Sequence, residues 1–113
     1  MIRFLDQYKI YQLAKIHFSL GDYNQAKEYV VEAKKTNPEN IWYSYLLIEI
    51  YYQTFEIEKQ AEVWLDLIQI DKENPLYYLE AIHTYMNLGL FKKALKILKL
   101  LIIVKPILQA IAI

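Results

Sequence analysis

The chain contains no cysteine, which excludes disulfides, thiolate metal sites and cysteine nucleophiles together. It has only two glycines and three prolines, too few turn-forming residues for a loop-rich or disordered chain. Neither charge is in excess: thirteen basic residues balance thirteen acidic ones, so no net field draws the chain toward nucleic acid or anionic lipid. No uncharged apolar run reaches the ~18 residues of a membrane span, because Lys99, Lys105 and Pro106 interrupt the nearest candidate. The N-terminal stretch MIRFLDQYKIYQ carries Asp6, Gln7 and Lys9 where a secretory signal needs a continuous apolar core, so a cytoplasmic address is expected.

What is present is apolar: 56% of the 113 residues are hydrophobic, enough for one core and too short a chain for two, so residues 1–113 are expected to form a single domain. Charge is unevenly spread along it. Eight acids lie between Glu49 and Glu80 against Lys59 and Lys72, whereas from Ala81 onward there are five lysines and no acid.

The segment SLGDYNQAKEY (19–29) returns 68 residues later as NLGLFKKALKI (87–97), and 68 is twice 34. Laid out at that period, the chain divides without gaps into 7–40, 41–74 and 75–108, and 109–113 remains as the start of a further helical segment. The matches spread across the repeat: Leu20 with Leu88, Gly21 with Gly89, Ala26 with Ala94, Pro38 with Pro106, and Glu39-Asn40 with Glu73-Asn74. Within the first repeat, Ile10, Leu13, Ala14, His17 and Leu20 follow helical steps, and so do Tyr23, Ala26, Val30 and Ala33 after the Gly21-Asp22 break. Each repeat therefore reads as a helical hairpin. Gly21 and Gly89 suit a left-handed helix end, Asp22 with Gln25 reads as a capping box, and Asn74-Pro75 reads as an N-cap before proline.

The middle repeat departs from this pattern, with Phe55 at the glycine place, Ile48 at the place of Ala14 and Gln60 at the place of Ala26. Either its hairpin is splayed, or its turn holds one more residue and the second helix is set back. The stripe Ala61, Trp64, Leu65 and Ile68 favours the longer turn.

A 34-residue helical hairpin with Leu13-Ala14, Leu20-Gly21-Asp22-Tyr23, Ala26, Ala33 and Pro38 resembles the tetratricopeptide repeat family, over Gln7 to Leu108. The resemblance implies an all-α fold, a right-handed α-α superhelix of three helical hairpins plus a short C-terminal helical segment. It also implies a protein-protein interaction module that holds a partner's peptide segment in a concave groove lined by the first helix of each hairpin. Carried onto this chain, the groove consists of Tyr11, Lys15, Phe18, Trp42, Tyr45, Glu49, Tyr52, Gln53, His83 and Met86. Tetratricopeptide domains that clamp acidic chaperone tails place Lys, Arg and Asn at rows held here by Tyr11, Lys15, Leu46, Leu76 and Glu80, and none of the five matches. The expected partner segment is therefore apolar or aromatic.

The last helix, ALKILKLLIIVK from Ala94, is apolar on all sides over its final turns, which reads as a buried helix rather than an exposed end. The alternative function follows: a self-assembling structural unit, or part of a longer array, joined through Leu98, Leu101, Ile102, Leu108 and Ile111. Lys92, Lys96 and Lys99 on that helix read as solvated side chains. No metal site, cofactor or catalytic residue is expected. His17 falls on a core row, His83 has no spaced ligand partner, and neither a phosphate-binding loop nor a paired carboxylate motif is present.

Two helices of a hairpin approach closely where each contributes a small side chain, and Ala14 opposite Ala26 meets that need. Ala26→Leu is expected to lower stability by about 1–3 kcal/mol through overpacking, and a thermal melt indistinguishable from the parent's would refute the pairing.

Overall fold

The computed structural model describes residues 4–104. They form six helices, α1 (Phe4–Ser19), α2 (Tyr23–Thr36), α3 (Ile41–Gln53), α4 (Ile57–Ile70), α5 (Pro75–Asn87) and α6 (Phe91–Val104), with no strand among the described residues. The all-α expectation holds. The described residues up to Glu56 make one compact unit and those from Ile57 onward a second. In the first unit α1 packs on α2 and α2 on α3; in the second α4 packs on α5 and α5 on α6.

The helix starts are set by local polar chemistry. Asn40 accepts a hydrogen bond from the Trp42 backbone N–H at 3.0 Å and Asn74 one from the Leu76 N–H at 3.0 Å. Each thereby satisfies a donor that the first helical turn leaves without an intrahelical partner. Pro75 occupies the first helical position, where its missing N–H costs nothing. Asp22 caps α2 by accepting from the Gln25 N–H at 3.4 Å, but the Gln25 side chain turns forward to Glu28. The capping box is therefore only half formed.

The three hairpin turns are alike, and the longer middle turn is not what the chain adopts. Gly21, Phe55 and Gly89 all take the left-handed conformation, with φ of 79°, 60° and 75°. The N–H of each bonds back to the carbonyl three residues earlier, Phe18, Tyr52 and Met86, at 3.0, 3.2 and 3.0 Å. The next residue reaches five back, from Asp22 to His17, Glu56 to Tyr51 and Leu90 to Tyr85, each at 2.9 Å. The middle turn keeps its length because Phe55 accepts a backbone conformation that L side chains avoid. Its neighbours brace it: Thr54 Oγ1 lies 3.3 Å from Glu56 Oε2, and Glu56 lies 3.9 Å from Lys27 Nζ on α2. The second helix then meets the core through Ala61, which is buried, while Gln60 at the regular place is half-buried.

In the first unit Ala14, Ala26, Val30 and Ala33 are completely buried, so small side chains set the spacing of α1 and α2. Aromatic rings fill the wider gaps, Tyr11 lying 5.2 Å from Tyr43 between ring centroids. In the second unit Trp64 of α4 lies 6.1 Å from Tyr77 of α5, and Tyr78 donates from its hydroxyl to the Lys72 carbonyl at 2.9 Å, tying the α4–α5 loop to α5.

Several residues read from their spacing as core or as buried helix lie on the surface. Leu13 on α1 and Leu20 in the turn after it are exposed, Leu20 to 74%. Leu100, Ile102 and Ile103 are exposed as well, so the end of α6 is not a buried helix within the described residues. His17 is half-buried rather than interior: its ring lies 5.5 Å from that of Tyr29, and Nδ1 is 3.1 Å from Asp22 Oδ2 across the turn.

Phe55 is 88% exposed, so its ring contributes almost no burial to offset the left-handed backbone. Phe55→Gly is expected to raise stability by roughly 0.5–1 kcal/mol, strain relief of ~1–2 kcal/mol being partly offset by the greater chain entropy of glycine. Gly21→Ala, where an added Cβ would meet nothing within 4 Å, is expected to lose about 1 kcal/mol through its backbone alone. Urea denaturation of the two variants checks both signs, and a loss in the first would refute the assignment of strain.

Candidate functional site

The first unit holds a cavity of about 410 Å³ walled by α1 and α3. From α1 come Tyr11, Lys15, Phe18 and Ser19, and from α3 Trp42, Tyr45, Leu46 and Glu49, both sets at steps of three and four that keep them on one helix face. A smaller cavity of about 230 Å³ adjoins it at the shared residues Tyr11 and Trp42, so the two form one trough along α1 and α3.

Each ring lining it touches another ring. Phe18 lies 5.4 Å from Tyr23 of α2, Tyr11 lies against Tyr43, and Trp42 meets Tyr45 edge-on at 5.7 Å and 83°. Lys15 Nζ sits 5.4 Å from the centre of the Tyr11 ring, within cation-π range. Glu49 on the opposite wall is exposed and forms no ion pair among the described residues. Burial chiefly, then the Tyr43 phenol and the Glu49 carboxylate, raises the Tyr11 phenol above the ordinary value. The arrangement is a wall of rings with one cation and one anion at its edge, suited to holding a ligand by area and hydrogen bonds.

Of the residues read from the sequence as groove-lining, the structure brings Tyr11, Lys15, Phe18, Trp42, Tyr45 and Glu49 to this one cavity. Tyr52 and Gln53 are exposed near the end of α3 and do not line it; His83 and Met86 are exposed on α5 in the second unit. Leu46, read from the sequence as standing on a clamp row but not counted with the groove residues, also lines the cavity; it follows Trp42 by four positions and so shares its face. Of the residues read as an assembly surface, Leu98 and Ile102 are each 40% exposed on one flank of α6 and Leu101 is half-buried. Leu108 and Ile111 lie outside the described residues. Phe91 and Leu95 continue the flank of Leu98 and Ile102 and were legible from the steps of four, three and four. Among the described residues no group of three or more His, Cys, Asp or Glu is placed to hold a metal ion, and no helix is long and apolar enough to cross a membrane.

Helical hairpins with the same turn at a constant period define a helical-repeat fold. Residues 10–40 match the family model described as tetratricopeptide repeat, so the chain carries such a repeat over its first hairpin. The family is in general a non-enzymatic protein-interaction repeat, and the partners it points to are proteins. The comparison with curated proteins gave no match.

The raised phenols set an alkaline limit on stability. Tyr11, Tyr78 and Tyr85 are all shifted up, burial being the largest cause in each. Below about pH 10 both folded and unfolded phenols are protonated. Above it the unfolded chain loses protons first, so the raised folded values draw the equilibrium toward unfolding. Denaturation midpoints are expected to fall between about pH 9.5 and 11, and Tyr11→Phe to reduce that fall. An unchanged pH dependence in Tyr11→Phe would show that the Tyr11 shift is not realised.

Proposed function

We propose that the chain is a peptide-binding module and that the α1–α3 trough receives an apolar or aromatic segment of a partner protein. The single observation that carries this reading is the convergence of Tyr11, Phe18, Trp42 and Tyr45 on one open cavity. Rings held by neighbouring rings lose little freedom on binding, and they offer large contact area together with hydroxyl and indole donors. Lys15 and Glu49 at the edge supply register, one to an acceptor and one to a donor on the ligand. Tyr52 and Gln53, further along α3, extend the proposed contact beyond the cavity, and His83 and Met86 on α5 are proposed contacts of the second unit in their own right.

A second reading rests on a different observation, the exposed flank of α6 formed by Leu95, Leu98 and Ile102. In it the chain is a structural unit that joins another protein or another copy of itself through this apolar strip.

A peptide array probed with the purified chain tests the first reading. The parent is expected to retain peptides bearing an aromatic or branched apolar anchor, and Trp42→Ala with Tyr45→Ala to weaken that retention at least about tenfold. Circular dichroism on both proteins verifies that the fold survives. Unchanged retention by a folded double variant would remove the trough from consideration.

A further inference from the structure

The second unit contains a cavity of its own, of about 450 Å³, between α4 and α6. Its floor is apolar, made by Leu65, Ile68, Ile97 and Leu100 over the ring of Tyr85. One rim comes from α4 and is acidic; the other comes from α6 and is basic.

At one end the two rims cancel within the molecule. Lys93 Nζ donates to Glu58 Oε1 at 2.9 Å and lies 5.5 Å from the centre of the Tyr85 ring. One helical turn further on, Glu62 on α4 and Lys96 on α6 form no hydrogen bond or ion pair among the described residues. Beyond them Leu100 and Ile103 carry the apolar surface toward the end of α6, both exposed. The cleft thus shows on one side an exposed carboxylate that feels Lys93 without bonding to it, on the other an exposed ammonium with no bonded partner, and hydrocarbon between.

A mate for such a surface needs a cation opposite Glu62, an anion opposite Lys96 and apolar matter in the middle. A uniformly anionic lipid face or an acidic peptide would satisfy Lys96 and be repelled by Glu62. The same surface turned through 180° satisfies both at once, which is the condition for a contact between identical subunits. The balanced charge of the chain adds no long-range repulsion between copies.

We propose that the α4–α6 cleft is a self-association surface, closed by the α4–α6 cleft of a second copy across a two-fold axis, with Glu62 of each copy meeting Lys96 of the other. The cleft shares no lining residue with the peptide trough. On α6 it lies on the opposite flank from Leu98 and Ile102, with the buried Ala94 and Ile97 between them. Leu98→Asp, on the strip of the second reading, therefore distinguishes the two surfaces: it leaves this contact intact and would break one built on that strip.

Sedimentation equilibrium on the full chain tests the assignment. The parent is expected to dimerise with increasing concentration, and Glu62→Lys alone or Lys96→Glu alone to weaken dimerisation about tenfold or more, since each places like charges at both symmetry-related contacts. An equimolar mixture of the two single variants is expected to recover association, because every cross-pair is again of opposite sign. The mixture also guards against a folding defect, since misfolded chains would not regain partners on mixing. A parent that stays monomeric, single variants that dimerise like the parent, or a mixture no tighter than its components would each overturn the proposal. So would loss of dimerisation in Leu98→Asp with Glu62→Lys unaffected.

Discussion

A helical hairpin closes in three residues only if one of them turns left, and that backbone requirement underlies the rest of the structure. At Gly21, Phe55 and Gly89 the same φ region is paired with the same two backbone hydrogen bonds. Constant turn length keeps the second helices starting at Tyr23, Ile57 and Phe91, one period of 34 residues apart. Because the helix starts are in phase, side chains at equal places in the repeat arrive on equal helix faces. Lys15 of α1 and Glu49 of α3, one period apart in sequence, meet on the same cavity for this reason.

Two kinds of side chain then divide the work of packing. Alanines take the positions where helices come closest, Ala14 and Ala26 in the first unit and Ala81 and Ala94 in the second, all buried. Aromatic rings take the broader spaces, and several rest against one another rather than against aliphatic chains. The arrangement leaves rings on both sides of the core boundary: Tyr43 is buried while its neighbour Trp42 faces the trough. Core and trough wall are thus built from one continuous aromatic layer, with burial decided by a single step along the helix.

The helices, the pairing of α1 with α2 and of α5 with α6, the Asn74 cap and the phase of the trough residues were legible in the sequence, since each depends on residues close in the chain. What escaped it depended on partners. Leu13 and Leu20 sit at helical spacing with Ala14 and His17, and spacing identifies a face without saying whether anything covers it. Phe55 was misjudged because phenylalanine is among the side chains least suited to a left-handed backbone. The demand of the turn, met through the Thr54, Glu56 and Lys27 bracing, overrode local preference. The α4–α6 cleft was invisible for another reason. Its two rims lie on helices about one repeat apart, joined by the Lys93–Glu58 contact at a separation of 35 residues, and no pattern within either helix announces the other.

The strained middle turn has an energetic meaning. Gly21 and Gly89 hold their conformation at no steric cost, while Phe55 holds the same one against a standing bias toward release. Three turns that share one geometry therefore differ in what each costs the chain, and the difference is set by one side chain on the solvent side of one bend.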